Sequence, residues 1–420
     1  MDEIRIVGGT SLCGEVSVQG SKNAALPMMA ASLLFPGVSV LKGCPKISDV
    51  FCMERILQAL GAESWWENHD LYLDCSKAEK TVILESDTKQ MRSSVILLGP
   101  LLGRNQKASM GYPGGCVIGT RPIDLHLLVL GKMGAVIKEN REMLSAECTE
   151  LKGCPIVFRQ KSVGATEQGI LAAVLARGET CLQNCACEPE IQHLCRYLRG
   201  MGAEISGDGT ECIVIKGVTS LRGGNMQVPS DRIVAGTYIC AAAVTKGRLV
   251  ISNAPYEEMT AFLEVYQKIG GQYKVKSGKL IVNGKKVGHP LEFLETEVYP
   301  GYPTDLQSQM TAVLATVPGK SHIRENIFEN RFRILEQLRR MGAKLEVSGK
   351  DIWIDGGKPL FGCEVSAQEL RGGAALMLAA LAAEGTTILR GYSYICRGYE
   401  TICEDLTALG GNITKNTGRV

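Results

Sequence analysis

A sixfold internal repeat constrains the fold of this 420-residue chain more than any other feature. Each copy ends a helix-like stretch with an apolar residue, then a glycine, then alanine or glycine. The repeat glycines are Gly61, Gly134, Gly202, Gly270, Gly342 and Gly410, so neighbouring copies lie 68 to 73 residues apart. A repeat of this length is a supersecondary unit that cannot bury its apolar face alone. Six units of roughly 70 residues therefore fill the chain.

The content of each unit also recurs, in the order helix, strand, helix, strand, strand. In the fifth unit, Thr304 and Asp305 are predicted to begin a helix, which Pro318 and Gly319 end. The other elements predicted in the fifth and sixth units are strand 321–324, helix 330–340, strands 344–347 and 351–354, helix 370–383, strand 386–389 and helix 399–409. The repeat glycine follows the second helix of each unit, where a C-cap glycine is expected.

An uninterrupted apolar run covers residues 374–383, within the first helix of the sixth unit. A helix that is apolar on nearly every side has to be buried, and this run is about half as long as a membrane span. We expect the units to pack with apolar helices inward and sheets outward, which gives an α/β fold. An open helical solenoid is the alternative, and the strand signals in every unit disfavour it.

The composition is that of an ordinary globular protein, with 45% hydrophobic and 21% charged residues. The net charge of +2 gives no reason to expect a nucleic-acid partner. The first residues lack the apolar core of a secretory signal, so we expect a cytoplasmic protein without membrane segments whose 16 cysteines are reduced. Cys181, Cys185 and Cys187 lack the CxxC spacing of a zinc site, and we predict no metal.

Basic residues recur near helix starts in different units. They are Lys22, Arg92, Arg121, Arg331, Arg371 and Arg397. If the units stack around shared axes, these helix starts converge, and cations beside helix N-termini favour a multiply charged anion. For any one of them, such as Lys22, a solvated surface position remains the alternative.

A glycine- and proline-rich segment over residues 111–126 carries Cys116. A loop cysteine near arginines has its thiolate favoured, so Cys116 could act as a nucleophile or a proton donor. An inert thiol is the alternative, and Arg121 and Asp124 could form a surface ion pair. Asp305 follows two prolines at a predicted helix start, where a carboxylate could also serve only as a partner of the helix dipole.

Eight runs occur between positions 21 and 400 in one order: SKNAALP, MRSS, PGGCxIGxRPxDLH, SVGAT, PxDRIxAGTY, PTDLQxQ, FENRF and RGYE. In these runs the chain resembles the enolpyruvyltransferase family. The resemblance implies two domains, each an inside-out α/β barrel of three repeats. It implies a first domain of residues 22–229 that carries the Cys116 loop, a second of residues 1–21 plus 230–420, and an active site in the cleft between them.

The resemblance also implies the reaction. The enolpyruvyl group of phosphoenolpyruvate would pass to the 3′-hydroxyl of UDP-N-acetylglucosamine with release of phosphate, the first committed step of peptidoglycan synthesis. Cys116 matches the proton donor, which can also form a covalent adduct with phosphoenolpyruvate, and Asp305 matches the carboxylate that binds and deprotonates the sugar hydroxyl. No metal or organic cofactor is implied.

The remaining implied site residues fall into two groups. The clamp for phosphate and carboxylate groups comprises Lys22, Arg92, Arg121, Arg371 and Arg397, of which Lys22 and Arg397 are also implied to be catalytic. The nucleotide-sugar site comprises Asn23, Arg121, Pro122, Ile123, Asp124, Leu125, Ser162, Val163, Gly164 and Ile327. Lys161 and Arg331 are further predicted substrate-binding residues. The loop of Cys116 is expected to close over the sugar nucleotide, and Cys116 to be alkylated by the epoxide fosfomycin.

Several positions depart from the family pattern. Glu369 stands in place of an aspartate, so Arg371 could be displaced, and Gly372 and Gly373 replace residues that favour a helix. Gln160 replaces a basic residue, and Tyr299 and Tyr394 replace histidines. Two alternatives stay open at this point: a shikimate-pathway enolpyruvyltransferase, and a non-catalytic paralogue that binds a UDP-sugar.

Overall fold

The computed structural model describes residues 3–113, 119, 122–140 and 142–416, which form two compact units. Unit one contains the described residues up to Gln19 and from Ser230 onward, together with Gly119. Unit two contains the other described residues between Gly20 and Pro229. Each unit has a hydrophobic core of its own.

Six four-stranded sheets share one topology. An edge strand pairs in parallel with the second strand, and the third strand pairs antiparallel with both the second and the fourth. In spatial order, the sheets of unit one are Glu364–Ser366, Thr386–Arg390, Glu3–Val7, Asn412–Asn416; Cys13–Ser17, Arg248–Ser252, Lys279–Asn283, Gln272–Lys276; and Leu294–Glu295, Gly319–Arg324, Asp351–Gly356, Lys344–Ser348. Those of unit two are Pro155–Val157, Glu179–Gln183, Cys212–Lys216, Glu204–Ser206; Asn225–Gln227, Val38–Lys42, Asp70–Asp74, Glu63–Glu67; and Val82–Ile83, Lys107–Gly111, Met143–Glu147, Val136–Glu139. The sixfold repeat is therefore confirmed.

Helices complete each repeat. Unit one has the α-helices Arg232–Val244, Thr260–Lys268, Gln307–Ala315, Ile334–Arg340, Leu370–Ala382, Tyr392–Ile395 and Ile402–Ala408, and the 3-10 helices Tyr256–Met259 and Thr304–Leu306. Unit two has the α-helices Lys22–Ser32, Ser48–Leu60, Glu85–Gln90, Leu98–Asn105, Asp124–Lys132, Val163–Ala173 and Pro189–Met201, and the 3-10 helix Arg92–Leu97.

The first helices of the repeats form the inside of each unit. In unit one, Arg232–Val244, Gln307–Ala315 and Leu370–Ala382 pack against one another, and nearly every one of their residues is buried. In unit two, Leu98–Asn105 packs against Val163–Ala173 in the same way. Small side chains such as alanine let helices approach closely on all sides, so the apolar run of the sixth repeat becomes a core helix. The expectation of helices inside and sheets outside, an inside-out α/β barrel architecture, is confirmed.

The repeat glycines end helices as predicted. All six have a backbone φ between 95° and 109°, in the left-handed region. Gly61, for example, follows the helix Ser48–Leu60, and its N–H donates to the carbonyl of Gln58. A residue with a Cβ is strained at such φ values, which explains why this position is glycine in every copy.

Three predicted helix starts were wrong by several residues. The helix expected from residue 330 begins at Ile334, and the helix expected from residue 399 begins at Ile402. Thr304 and Asp305 lie in a 3-10 turn, and the α-helix begins only at Gln307. As a result, Arg331 lies in the turn before the helix Ile334–Arg340, where it is buried. The turn lets its side chain point inward, which a surface helix would not.

Segments distant in sequence complete the rings of repeats. The strand Glu3–Val7 lies between Thr386–Arg390 and Asn412–Asn416, with Ile6 opposite both Thr387 and Ile413. In unit two, Asn225–Gln227 supplies the parallel edge of the sheet that contains Val38–Lys42. Across the residues that the structure describes, no helix is both long and apolar enough to cross a membrane.

Candidate active site

The Asp305 carboxylate of unit one lies between two guanidinium groups. Arg331 Nη2 donates to Asp305 Oδ1 over 2.7 Å, and Arg371 Nη2 and Nε donate to Asp305 Oδ2 over 2.8 and 3.2 Å. Three separate elements supply these residues: the 3-10 turn Thr304–Leu306, the turn before the helix Ile334–Arg340, and the start of the helix Leu370–Ala382. The repeat architecture therefore brings them together from 26 and 66 residues away.

Burial is uneven across this cluster. The side chains of Arg331 and Arg371 are each 3% exposed, whereas that of Asp305 is 27% exposed. Burial by itself disfavours the charged form of Arg371, but Asp305 outweighs it, and the pKa of Arg371 lies above its ordinary value. The cluster therefore presents an accessible carboxylate backed by two buried, permanently charged groups.

Both arginines keep donors that the described residues do not use. Arg331 Nε and Arg371 Nη1 are buried and have no hydrogen-bond partner within the described ranges. An unsatisfied buried donor on a charged group is costly, so this arrangement suits a ligand that brings acceptor oxygens.

A buried polar network lies next to the guanidinium of Arg371. Its guanidinium lies 5.8 Å from the centre of the Tyr399 ring, and the Tyr399 hydroxyl is 2.8 Å from the Thr237 hydroxyl. Gln309 Nε2 donates to both hydroxyls over 3.3 and 3.4 Å. Burial raises the pKa of Tyr399, although Arg371 opposes that shift, so Tyr399 stays neutral and can donate.

Lys22 occupies the start of the first helix of unit two. Ser21 caps this helix by accepting from the N–H of Ala24 over 3.3 Å. A cation at a helix N-terminus needs a nearby anion, and Lys22 Nζ donates to Asp49 Oδ2 over 3.3 Å. Asp49 is buried at the start of the next helix, Ser48–Leu60, so part of the positive charge is already balanced within unit two.

Three of the predicted nucleotide-sugar residues, Ser162, Val163 and Gly164, lie at the start of the helix Val163–Ala173. Ser162 caps the helix Val163–Ala173 by accepting from the N–H of Ala165. A Cβ on Gly164 would lie 3.0 Å from Cε1 of His126, so glycine here admits the imidazole ring. Beside them, Lys161 Nζ is paired with Glu211 over 2.7 Å, and this hydrogen bond raises the pKa of Lys161.

Other predicted site residues lie as follows. Asp124 begins the helix Asp124–Lys132 and is paired with Arg159, rather than standing unpaired on the surface. Ile123 and Leu125 are buried, Pro122 and Ile327 are exposed, and Asn23 is half-buried. Arg92 begins the 3-10 helix Arg92–Leu97, and the half-buried Arg397 follows the helix Tyr392–Ile395. Cys116 and Arg121 lie outside the described residues.

The three cysteines that could have suggested a zinc site lie in one strand and in the loop that follows it. Cys181 lies in the strand Glu179–Gln183, and Cys185 and Cys187 lie in the loop after it, as the repeat predicted. The sulfur of Cys181 is 3.7 Å from that of Cys212 on the neighbouring strand Cys212–Lys216. Burial raises the pKa of Cys185 to about 12, so this thiol is inert.

Comparisons with known proteins place this chain. The family model described as EPSP synthase (3-phosphoshikimate 1-carboxyvinyltransferase) matches residues 6–406. UDP-N-acetylglucosamine 1-carboxyvinyltransferase 2 of Caldanaerobacter subterraneus subsp. tengcongensis is 41% identical over 415 residues, 99% of this chain and 100% of the relative. The chain belongs to the enolpyruvyltransferase family. Its resemblance to that family is thereby confirmed. UDP-N-acetylglucosamine 1-carboxyvinyltransferase of Vesicomyosocius okutanii is 43% identical over 416 residues, 99% of both chains.

Solved enolpyruvyltransferases share the fold. The enolpyruvyl transferase NikO from Streptomyces tendae has a TM-score of 0.88 at 24% identity, with 100% of both chains covered. EPSP synthase from Acinetobacter baumannii has a TM-score of 0.74 at 19% identity, covering 99% of this chain and 100% of that one. The predicted fold class is confirmed by both.

Two departures from the enolpyruvyltransferase pattern compensate each other. The Glu369 carboxylate caps the helix Leu370–Ala382, since Oε2 accepts from the N–H of Arg371 over 2.8 Å and Oε1 accepts from the N–H of Gly372. A Cβ on residue 372 would overlap Glu369 Oε1, so the glycine makes room for the longer acid. With Glu369 as the cap, Arg371 contacts Asp305.

Sequence reasoning missed three residues that help to hold the side chains of the Asp305 cluster in place. Glu325, Thr304 and Tyr399 were present in the quoted runs or beside them, but no role was assigned to any of them. Each becomes recognisable only through its burial and its partners, such as the bond from Thr304 to the fully buried Glu325. The single sequence signal was their position next to Asp305, Arg331 and Arg397.

Proposed function

We propose that this chain transfers the enolpyruvyl group of phosphoenolpyruvate to the 3′-hydroxyl of UDP-N-acetylglucosamine and releases phosphate, the first committed step of peptidoglycan synthesis. Its curated relatives at about 40% identity carry the name of that activity. The observation that carries the proposal is the Asp305 carboxylate held by Arg331 and Arg371, with unused buried donors beside it.

The unused donors fit the charge of phosphoenolpyruvate. This substrate brings a phosphate and a carboxylate, and arginine can bind either with two parallel hydrogen bonds. We assign Arg371 and Arg397 of unit one and Lys22, Arg92 and Arg121 to this clamp. Positive groups placed before the reaction also stabilise the charge that develops as phosphate departs.

In the addition step, the 3′-oxygen of the sugar forms a bond to carbon 2 of phosphoenolpyruvate while carbon 3 gains a proton. We assign the proton donor to Cys116 and the acceptor of the hydroxyl proton to Asp305. Both Asp305 oxygens accept from guanidinium groups, and 27% of the side chain is exposed, so the carboxylate is accessible to the sugar hydroxyl.

Two guanidinium groups already donate to Asp305 in the resting site. The sugar oxygen becomes strongly acidic only as its bond to carbon 2 forms, and we therefore propose that its proton moves late. In the elimination step, carbon 3 loses a proton, the bond from carbon 2 to the phosphate oxygen breaks, and the double bond between carbons 2 and 3 forms again, which gives the enol ether of the sugar and free phosphate. No metal or organic cofactor enters this scheme.

We assign the nucleotide sugar to the capped helix start at Ser162 and to other segments of the predicted site. The residues are Asn23, Arg121, Pro122, Ile123, Asp124, Leu125, Ser162, Val163, Gly164 and Ile327. Unpaired helix N–H groups suit the diphosphate, and Lys161 adds a positive charge. Closure of the Cys116 loop over the bound sugar nucleotide would exclude water from the reaction. We propose that the protein acts in the cytoplasm, where both substrates are made.

A two-substrate assay tests this proposal. Phosphate release from phosphoenolpyruvate is measured with UDP-N-acetylglucosamine or with shikimate 3-phosphate as the acceptor, since the matching family model is described by the latter chemistry. We expect release only with the UDP-sugar. Release only with shikimate 3-phosphate would overturn the proposal.

The assay also separates an enzyme from a binding protein. The alternative of a non-catalytic paralogue came from Glu369 and the two glycines after it, yet Arg371 keeps its contact with Asp305 in their presence. The matched control is Cys116→Ser. A wild-type rate no higher than that of this variant would support the paralogue.

A further inference from the structure

A fully buried glutamate lies next to the Asp305 cluster and belongs to no assigned role. Glu325 follows the strand Gly319–Arg324 and is 0% exposed. Burying a carboxylate costs free energy unless its oxygens accept hydrogen bonds. Oε1 accepts from the backbone N–H groups of Ile327 and Phe328 over 2.8 and 3.0 Å, and Oε2 accepts from the Thr304 hydroxyl over 2.9 Å. The side chain is therefore held firmly in place by three donors.

The bond to Glu325 fixes the direction of the Thr304 hydroxyl. A hydroxyl has one proton to donate, and Thr304 donates it to Glu325, which can only accept when ionised. The oxygen of Thr304 must then accept from its other neighbour, and Arg331 Nη1 donates to it over 2.7 Å. Reversing either bond would leave a buried donor facing another donor.

Arg331 connects the fixed hydroxyl of Thr304 to the carboxylate of Asp305. While Nη1 is held by Thr304, Nη2 donates to Asp305 Oδ1 over 2.7 Å. The guanidinium also lies 5.1 Å from the centre of the Phe328 ring, and the N–H of Phe328 is one of those held by Glu325. Glu325 thus fixes Arg331 from two sides without touching Asp305.

We propose that Glu325 is a positioning residue for the reaction, acting through Thr304 and Arg331 on the orientation of Asp305. This inference rests on the proposed function, because it needs Asp305 to receive the sugar hydroxyl. A second arm of Glu325 runs through the backbone of Ile327, which we assigned to the nucleotide-sugar site. The two arms make different predictions for turnover and for substrate binding.

Glutamine at position 325 separates the two arms. Its amide oxygen can still accept from the N–H groups of Ile327 and Phe328, so binding of UDP-N-acetylglucosamine should persist. Its NH₂ group can only donate, so the Thr304 hydroxyl loses its acceptor and its orientation. We expect Glu325→Gln to lower kcat by about 10- to 100-fold, the scale of a misplacement of about 1 Å, with KM for the UDP-sugar within about threefold of wild type.

Thr304 supplies the matched tests. Thr304→Val removes the hydroxyl at nearly constant shape and should lower kcat to a similar degree, whereas Thr304→Ser keeps the hydroxyl and should restore most of it. If the two residues act through the same series of hydrogen bonds, their effects should not multiply. The kcat of the double variant Glu325→Gln/Thr304→Val should then lie within about threefold of that of the slower single variant. Thr316→Val, a half-buried hydroxyl at the other end of the helix Gln307–Ala315, is the control, as is Glu54→Gln, a buried glutamate of unit two.

The measurement is steady-state phosphate release for all variants, after thermal unfolding has shown that each is folded. A wild-type rate for Glu325→Gln, multiplication of the two single effects, or equal losses in the control variants would overturn the positioning role. A wild-type protein without turnover on UDP-N-acetylglucosamine would instead overturn the proposed function, so the two failures are distinguishable.

Discussion

The contact between Glu369 and Gly372 makes a quantitative prediction about helix stability. The change is Gly372→Ala, alone and combined with Glu369→Asp. Alanine normally stabilises a helix by up to about 1 kcal/mol relative to glycine. Here, however, the new Cβ would overlap Glu369 Oε1, which caps the helix Leu370–Ala382. Losing such a cap costs about 1 kcal/mol.

These two effects nearly cancel in the single variant. We expect Gly372→Ala alone to change the free energy of unfolding by about zero, or to lower it slightly. An aspartate side chain at this position is one methylene shorter and can cap the same N–H groups without reaching the Cβ. The double variant should therefore gain about 1 kcal/mol over Glu369→Asp, and the coupling between the two sites should be about 1 kcal/mol.

Thermal unfolding measures this prediction. For a unit of about 200 residues, 1 kcal/mol corresponds to about 2–4 °C in Tm. Gly200→Ala is the control, because nothing lies within 4 Å of the Cβ it would gain in the helix Pro189–Met201. If Gly372→Ala raises Tm as much in the wild-type protein as it does in the Glu369→Asp variant, the two side chains do not compete and the reasoning fails.

Three further predictions concern the thiol, the carboxylate and a buried acid. Cys116→Ser should lower kcat by about 10²- to 10⁴-fold, the range of general acid catalysis, and Cys116→Asp should keep turnover but escape inactivation by fosfomycin; mass spectrometry that finds several cysteines of the wild type equally labelled would contradict this. Asp305→Asn leaves two buried guanidinium groups without their counter-charge, so the free energy of unfolding should fall by about 3–5 kcal/mol, and an unchanged urea midpoint would refute it. Burial first, then Glu190 and Glu188, raise the pKa of Glu167 to about 8, above its unfolded value, so its contribution to stability is complete below about pH 4.5 and is lost as the pH rises through 8. Glu167→Gln should therefore gain stability relative to wild type between about pH 5 and pH 9, by several kcal/mol at most, and urea curves whose difference is constant with pH would argue against it.

Features that depend on neighbouring residues were predictable from the sequence. The repeat glycines were predictable, because a left-handed residue after a helix is a local requirement that glycine alone meets without strain. The cap by Ser21 was predictable as well, because its acceptor and donor lie three residues apart. The inner position of the helix Leu370–Ala382 also followed, because its apolar residues surround the whole axis.

Features that depend on distant partners were not predictable in the same way. Arg331 was predicted among the basic residues near helix starts, but its burial and its pairing with Asp305, 26 residues away, are not recorded in any local pattern. A glutamate is usually expected at the surface. The burial of Glu325 is explained only by its hydrogen bonds to the hydroxyl of Thr304 and to two backbone N–H groups. The fit between Glu369 and Gly372 depends on where one carboxylate oxygen lies, which no residue pattern records.

The strand Glu3–Val7 has a consequence for how the molecule is made. Its two neighbours, Thr386–Arg390 and Asn412–Asn416, are translated after all the other strands among the described residues. The whole of unit two is translated in between, as one continuous stretch apart from Gly119, and can acquire its core while the first strands of unit one are still unpaired. During synthesis the leading segment must therefore be kept from other exposed strand edges until the final repeat emerges to receive it.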